Sequence, residues 1–392
     1  MGKFIEEVRK NAMTIVLVLV VIFFAVMSKG QILQPTNVSN LIAQNAYVFV
    51  LATGMLYCIL TGGNIDLSPG SIVCFIGAVG GVMMVTWGWP VWLSMLCMIL
   101  LGIIIGVWQG FWIAYVNIPP WITTLAGMLM FRGLGNVVLK GLTISNFPPV
   151  FVNMFNGYVP DILGFINVTV LGTKLNIFCI FVGLVVCVLI ILSELRNRAN
   201  RKKKGYELDT VAKSIVKTAL ICAVVLFVMV ELSMSKGIPF ILIWIAAIML
   251  IYDFVASKTI LGRHFYTVGG NVEAAKMSGV DTRKIFFIAY INMAFLSAVT
   301  TMITMARLSS ATPTAGTNFE MDAISSCFVG GASAYGGSGT IPGMIVGATL
   351  IGVINLGMSV LRVDTDWQKI VKGLVLLLAV IFEVLNKRQK KA

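Results

Sequence analysis

GGNIDLSPGS, residues 62–71, interrupts two long apolar runs with Asn64, Asp66, Ser68, three glycines and Pro69. What flanks it decides whether it is a surface loop or a break inside a membrane span. The 392-residue chain is 58% hydrophobic and 11% charged, with a mean hydropathy of +0.94. Soluble domains carry about 25% charged residues. Runs such as MTIVLVLVVIFFAVM (13–27) recur along the whole chain, and about 20 apolar residues span a bilayer core. So many runs cannot be buried together in a water-soluble body. The expected fold is therefore all-α and polytopic: a single transmembrane domain over residues 1–392 with about 10–12 membrane segments.

Candidate spans are 13–30, 41–60, 70–87, 91–116, 121–139, 173–193, 211–233, 239–256, 285–306, 343–361 and 369–386. The net charge of +13 is gathered at Arg9 and Lys10, at RNRANRKKK (196–204), at Lys258, Arg263, Lys276, Arg283 and Lys284, and at KRQKK (387–391). Basic clusters of this kind set membrane orientation, and no interleaving of aromatic and basic residues points to nucleic acid. Eleven crossings from a cytoplasmic N-terminus leave KRQKK outside. EMDAISSCFVGGASAYGGSGT (320–340) is the natural extra segment, as a short or broken helix near 322–342. Both termini, the basic loop 196–210 and the loop 257–284 then face the cytoplasm, while 140–172 and 307–320 face outward.

The opening stretch has a partial echo. PGSIV (69–73) and PGMIV (342–346) each open an apolar helix, preceded by Gly62-Gly63 and Gly336-Gly337. Proline suits the first helical turn, and irregular backbone at membrane depth survives only when shielded. Interrupted segments in two halves of a transporter mark its pathway; two ordinary surface loops are the plain alternative. The pathway candidates are Gly62, Gly63, Asn64, Asp66, Ser68 and Pro69 in the first stretch. In the second they are Asp322, Gly330, Gly331, Ser333, Gly336 and Gly337. Asp66, three residues before Pro69, is placed to cap the next helix; at bilayer depth it needs a partner, and Arg132 in FRGLG is one candidate.

In LGRHFYTVGGNVEAAKMSGVDTRKI (261–285), Asn271 can cap a short helix through NVEAAKM that Gly279 ends. That layout fits a helix on which a partner bears, and equally a solvated loop obeying the charge rule. The 196–210 loop reads as a tether to acidic lipid head groups. The seven cysteines show no zinc or CxxC spacing, and no Walker A or HExxH motif occurs. An enzyme is not expected, nor a metal or cofactor in this chain.

NVSNLIAQNA (37–46), GGNIDLSPGS (62–71), PPWITTLAGMLMFRG (119–133), GRHFYTVGGNVEAAKMSGV (262–280), AISSCFVGGASAYGGSGTIPG (323–343) and WQKIVKGLVLLLAV (367–380) follow in family order. They closely resemble the inner-membrane permeases of monosaccharide ABC importers, most of all the longer xylose-type and multiple-sugar members. The resemblance implies a homodimeric permease for xylose, galactose, glucose, arabinose or ribose. Its partners would be a cytosolic ATPase with two fused nucleotide-binding domains, holding ATP and Mg2+, and an extracytoplasmic sugar-binding protein. It implies ATPase coupling at Arg263, Gly269, Gly270, Asn271, Glu273, Ala274, Ala275 and Gly279, and a pathway role for Asp66, Leu67 and Ser68. The family pattern has valine where this chain has Pro69. The rival reading is an ion-coupled secondary transporter with Asp66 and Asp322 as ion ligands.

Overall fold

The structure is a computed structural model that describes residues 12–164, 169–170, 173–205 and 210–391. Arg9, Lys10 and part of the 196–210 loop lie outside the described residues, as do the side chains of 387–391. The chain forms α1 (Ala12–Met27), α2 (Pro35–Leu60), α3 (Pro69–Gly81, continued by a π-helical turn Val82–Thr86), α4 (Val91–Ala114) and α5 (Pro120–Leu139). After α6 (Pro149–Asn156) come α7 (Ile177–Lys203), α8 (Val211–Ser233), α9 (Phe240–Lys258), α10 (Ile260–Gly270) and α11 (Val272–Met277). The chain closes with α12 (Thr282–Leu308), α13 (Phe319–Val329), α14 (Ile341–Val360) and α15 (Thr365–Lys391). The β-structure among the described residues is confined to four two-residue strands in loops and an isolated bridge between Tyr158 and Pro239.

The protein is an all-α, multi-pass membrane protein: nine of the described helices are long and apolar enough to cross a bilayer. α2, α3, α12 and α14 are mostly buried along their most apolar stretch, whereas few residues of α7 and α8 are buried. Without water to take up backbone polar groups, a helix satisfies its own, so hydropathy alone fixes these elements. Proline stands in the first turn of α2, α3, α5 and α14, where its missing N–H costs nothing.

α2–α5 and α12–α15 form two related halves. α4 packs on α12 as α14 packs on α2; α3 packs on α5 and α12 as α13 packs on α15 and α2. Paired elements run in opposite directions: Gly54 of α2 lies against Met293 of α12, and Cys58 against Ala289. The two halves are thus inverted, with α6–α11 inserted between them. The PGxIV echo does not mark this repeat, because it pairs the start of α3 with that of α14, whereas packing pairs α3 with α13. A Pro-Gly start reflects only what any helix N-terminus tolerates.

Two further expectations are corrected. The basic segment 196–203 is the end of α7 and not a loop; arginine and lysine are good helix formers and sit favourably against a helix C-terminus. The segment 257–284 holds two helices, because Thr259 caps α10 by accepting from the Gly262 N–H (3.1 Å) ahead of the expected short helix α11. The short or broken helix expected near 322–342 is present: α13 spans 11 residues, with irregular stretches at 309–318 before it and 330–340 after it.

The α4–α12 seam rests on Gly102, Gly106 and Gly110, one turn apart, a small-residue stripe of the kind that lets membrane helices approach closely. A Cβ on Gly106 would lie 2.6 Å from the Ile291 Cα, while one on Gly133 meets nothing within 4 Å. Gly106→Ala is therefore expected to destabilise the detergent-solubilised protein by about 1–3 kcal/mol through overpacking, and Gly133→Ala to leave its thermal unfolding unchanged or slightly raised. Equal midpoints for the two variants contradict this packing.

Candidate functional site

The two breaks meet inside the protein. Residues 61–68 leave the helix, and α3 starts again at Pro69 with Asp66, Ser68 and Pro69 buried. Residues 309–318 lead into α13 in the same manner. The crossing point is Gly70 against Gly316: a Cβ on either would strike the other's carbonyl oxygen well inside contact distance. The Glu320 carboxylate lies at the same point, beside Gly70 at the start of α3 and in the first turn of its own helix. Each N-terminus carries partial positive charge, which a carboxylate offsets.

Asp66 does not cap α3 directly, and this corrects the expectation. Its Oδ1 accepts from the Ser68 N–H (2.8 Å) and from the Ser68 hydroxyl (2.6 Å). The Ser68 carbonyl then accepts from the Ser71 and Ile72 N–H groups, each at 2.9 Å. Asp66 therefore fixes the residue that starts the helix, from one position farther back. The amide of Gln109 on α4 donates to Ser68 Oγ (2.8 Å) and ties the break to the bundle. Arg132 is not its partner: it donates to the Pro313 carbonyl (3.2 Å) and the Ala315 carbonyl (2.6 Å). The reason is height along α5: Gly127 is level with Ser68, and Arg132 lies more than a turn farther on, towards the second break.

Above this crossing, towards the face away from Lys258 and Arg263, opens a cavity of about 350 Å³. Small-molecule sites range over about 300–1,000 Å³. Its floor is aromatic, with Tyr47 and Phe319 stacked at 3.7 Å between ring centroids. Its walls carry the amides of Gln44, Asn45, Asn355 and Gln368 and the hydroxyls of Thr304, Thr312, Thr314, Thr317 and Ser359. Arg307 and Lys372 add two cations, whereas Leu308 and Ala315 are the only aliphatic members. It lies where α2 of the first half meets α12–α15 of the second.

Asp322 holds this arrangement together. Buried on α13, it accepts from Tyr47 Oη on α2 (2.5 Å) and pairs with Lys372 Nζ on α15 (3.0 Å). One carboxylate thus joins three helices. Sequence reasoning missed Tyr47, Phe319, Glu320 and Lys372. Lys372 carries a readable signal, since a lysine inside the apolar run 369–386 is costly unless paired.

The other expected residues gather at the opposite, basic end. Gly62 and Gly63 lie against Gly336 and Ala334, and Leu60 accepts from the Gly337 N–H at 3.1 Å. Gly330 abuts Gly343, Gly331 turns with φ +86°, and Ser333 is buried. Asn64 donates back to the Thr61 carbonyl at 3.1 Å. Asn271 caps α11 through the Ala274 N–H (3.0 Å), and Gly279 follows it with φ +82°. Ala275 is buried, whereas Arg263, Gly270, Glu273, Ala274 and Met277 face outward. The expected residues thus form two groups, at mid-depth and at the basic face.

The pair invites a stability test. Lys372→Met leaves a buried carboxylate unpaired, which costs about 3–5 kcal/mol. Adding Asp322→Asn removes the charge while keeping an acceptor for Tyr47, so the double variant is expected to regain most of the loss in a thermal-unfolding series. A double variant no more stable than Lys372→Met refutes this role for Asp322.

Residues 37–380 match the family model described as branched-chain amino acid transport system, permease component. The chain is 36% identical over 377 residues to the xylose transport system permease protein of Haemophilus influenzae, covering 96% of each chain. To the xylose transport system permease protein of Escherichia coli K12 it is 34% identical over 373 residues, 95% of this chain and 91% of that one. To the ribose import permease protein of Bacillus subtilis it is 30% identical over 359 residues, 90% and 85% respectively. No solved structure matches the chain.

Proposed function

The chain belongs to the permease-component family of that model, and from this premise we propose that it forms the membrane pathway of an ATP-driven monosaccharide importer in the bacterial plasma membrane. The observation that carries the sugar reading is the cavity: amides and hydroxyls over a stacked aromatic floor, with Leu308 and Ala315 its only aliphatic members. A sugar presents hydroxyls that pair with neutral amides and C–H faces that lie on aromatic rings. A branched aliphatic side chain wants an apolar slot instead, which a lining of this composition does not supply. The relatives named for xylose and ribose transport support the same substrate class.

The chain itself is not an enzyme. A separate cytosolic ATPase with two fused nucleotide-binding domains holds ATP and Mg2+, an extracytoplasmic binding protein delivers the sugar, and a second permease copy completes the pathway. The basic residues at the α10–α11 end support a cytoplasmic position for it, and on this reading the cavity faces the binding protein. The ion-coupled alternative loses support at Asp322, whose charge is already met by Lys372 and Tyr47.

Reconstitution with the ATPase and binding protein tests the proposal. Labelled xylose or another monosaccharide is expected to accumulate on ATP alone, without a proton or sodium gradient, and leucine is not. Phe319→Ala is expected to weaken uptake about two- to tenfold, since aromatic stacking is worth about 0.5–1.5 kcal/mol beyond burial. Uptake that requires an ion gradient, or that leucine abolishes by competition, rejects the reading.

A second expectation concerns Glu273, exposed in the first turn of α11. Reversing its charge there opposes both the helix dipole and a docked partner. Glu273→Arg is expected to reduce ATPase co-purification while leaving membrane insertion unchanged. Full retention of the ATPase excludes this residue from the docking contact.

A further inference from the structure

A second cavity, of about 480 Å³, lies between α9 and α12 and shares no residue with the polar one. Ile248, Ile251 and Val255 of α9 and Ile288, Phe295 and Val299 of α12 line its sides. Tyr57 and Leu296, both buried, lie beneath them. Trp244 and Ile251 at its rim are exposed. The groove therefore opens on the outer surface of two helices that are long and apolar enough to cross the bilayer, where the neighbouring medium is lipid.

The polar groups of this lining are engaged with one exception. The Tyr57 hydroxyl donates to the Tyr252 carbonyl (2.8 Å), and the Trp244 indole N–H donates to the Met154 carbonyl (3.3 Å). The Tyr252 hydroxyl donates to Asn292 Oδ1 and so links α9 to α12. Asn292 Nδ2 has no hydrogen-bond partner among the described residues. An unpaired amide donor in apolar surroundings is costly. The chemistry that fits is a long apolar body carrying one acceptor. A sugar, with a hydroxyl on nearly every carbon, does not fit.

The basic end of the groove supplies the charge. From the Tyr252–Asn292 link, Lys258 lies about 9 Å along α9 and Lys284 about 12 Å back along α12, at about 1.5 Å of rise per residue. The two helices run antiparallel, so both lysines stand on the same side of the link. Both are exposed, as are Arg263 and Arg283 beside them. Asp253 and Asp281 are the nearby carboxylates in the chain, and Asp281 already accepts from the Lys284 N–H (3.1 Å) at the start of α12. The balance is positive, an apolar slot ending in exposed cations at the level where head groups lie.

We propose that this groove is a binding site for an anionic phospholipid. One acyl chain lies between α9 and α12, its ester carbonyl accepts from Asn292 Nδ2, and its phosphate rests against Lys258 and Lys284. The basic end being cytoplasmic, the lipid comes from the inner leaflet. The site is independent of which solute the protein carries.

The test uses the full-length permease in bilayer nanodiscs containing phosphatidylglycerol with a photoreactive acyl chain, and maps the labelled peptides by mass spectrometry. Label is expected to concentrate on α9 and α12 over α7 and α8. The phosphatidylcholine analogue is expected to label them several-fold less. Removing both cations with Lys258→Gln and Lys284→Gln is expected to weaken the phosphatidylglycerol label about tenfold or more, with thermal unfolding unchanged. Val299→Trp fills the groove and is expected to abolish the label there; should it fail to fold, the lysine variants decide. Label spread evenly over all lipid-facing helices overturns the proposal, as does equal labelling by the two lipids. Absence of label on α9 and α12 also overturns it, including the case in which a second copy of the chain covers this face. Displacement of the label by inorganic phosphate, which has no acyl chain, rejects the groove as the anchor.

Discussion

Backbone that leaves the helix inside a membrane must be shielded by the protein, because the bilayer offers nothing to replace lost hydrogen bonds. Two such departures occur here, at 61–68 and 309–318, and much of the structure is the means of sheltering them. Placing them in opposite halves of an inverted repeat lets each cover the other. Their contact at Gly70 and Gly316 brings two helix N-termini together in the interior. That concentration of partial positive charge accounts for Asp66, Glu320 and Asp322, three acidic residues buried in a chain otherwise poor in charge.

The same constraint sets the chemistry. Asp66 and Glu320 serve the restarted helices, through Ser68 in one case and from within the first turn in the other. Asp322 belongs to both frame and cavity, since it orients Tyr47, which forms part of the aromatic floor, and neutralises Lys372, which lines the wall. A cavity of hydroxyls and amides, in which Asp322 pairs with Lys372 and Arg307 adds a further cation, suits a polar, hydroxyl-bearing solute. Small residues recur wherever segments must slide or approach: the stripe on α4, the crossing, and the seam at the basic face.

Much of the fold was legible in the sequence. Each apolar run became a helix, and prolines started helices where expected. Asn271 capped α11, because a capping side chain acts over three residues. The misreadings have a common cause. Arg132 was offered to Asp66 because both are charged, yet the height of a side chain along its helix decides which neighbour it meets. The basic run 196–203 read as a loop because it is polar, although nothing in it breaks a helix. The PGxIV echo was real as a helix-start signal and silent about which helices pair.

The sequence by itself determined that the chain crosses the membrane many times, which end is basic, and where the helical regularity fails. Those properties are local: a helix satisfies its own backbone, hydropathy adds along a run, and proline or asparagine acts within one turn. The tertiary structure alone decided that the first break meets 309–318 at mid-depth and 334–337 at the basic face. It alone joined Tyr47, Asp322 and Lys372 across three helices. Such contacts depend on the rotation and depth of helices hundreds of residues apart in the chain, and these are set by the packing of whole surfaces that no single stretch of sequence specifies.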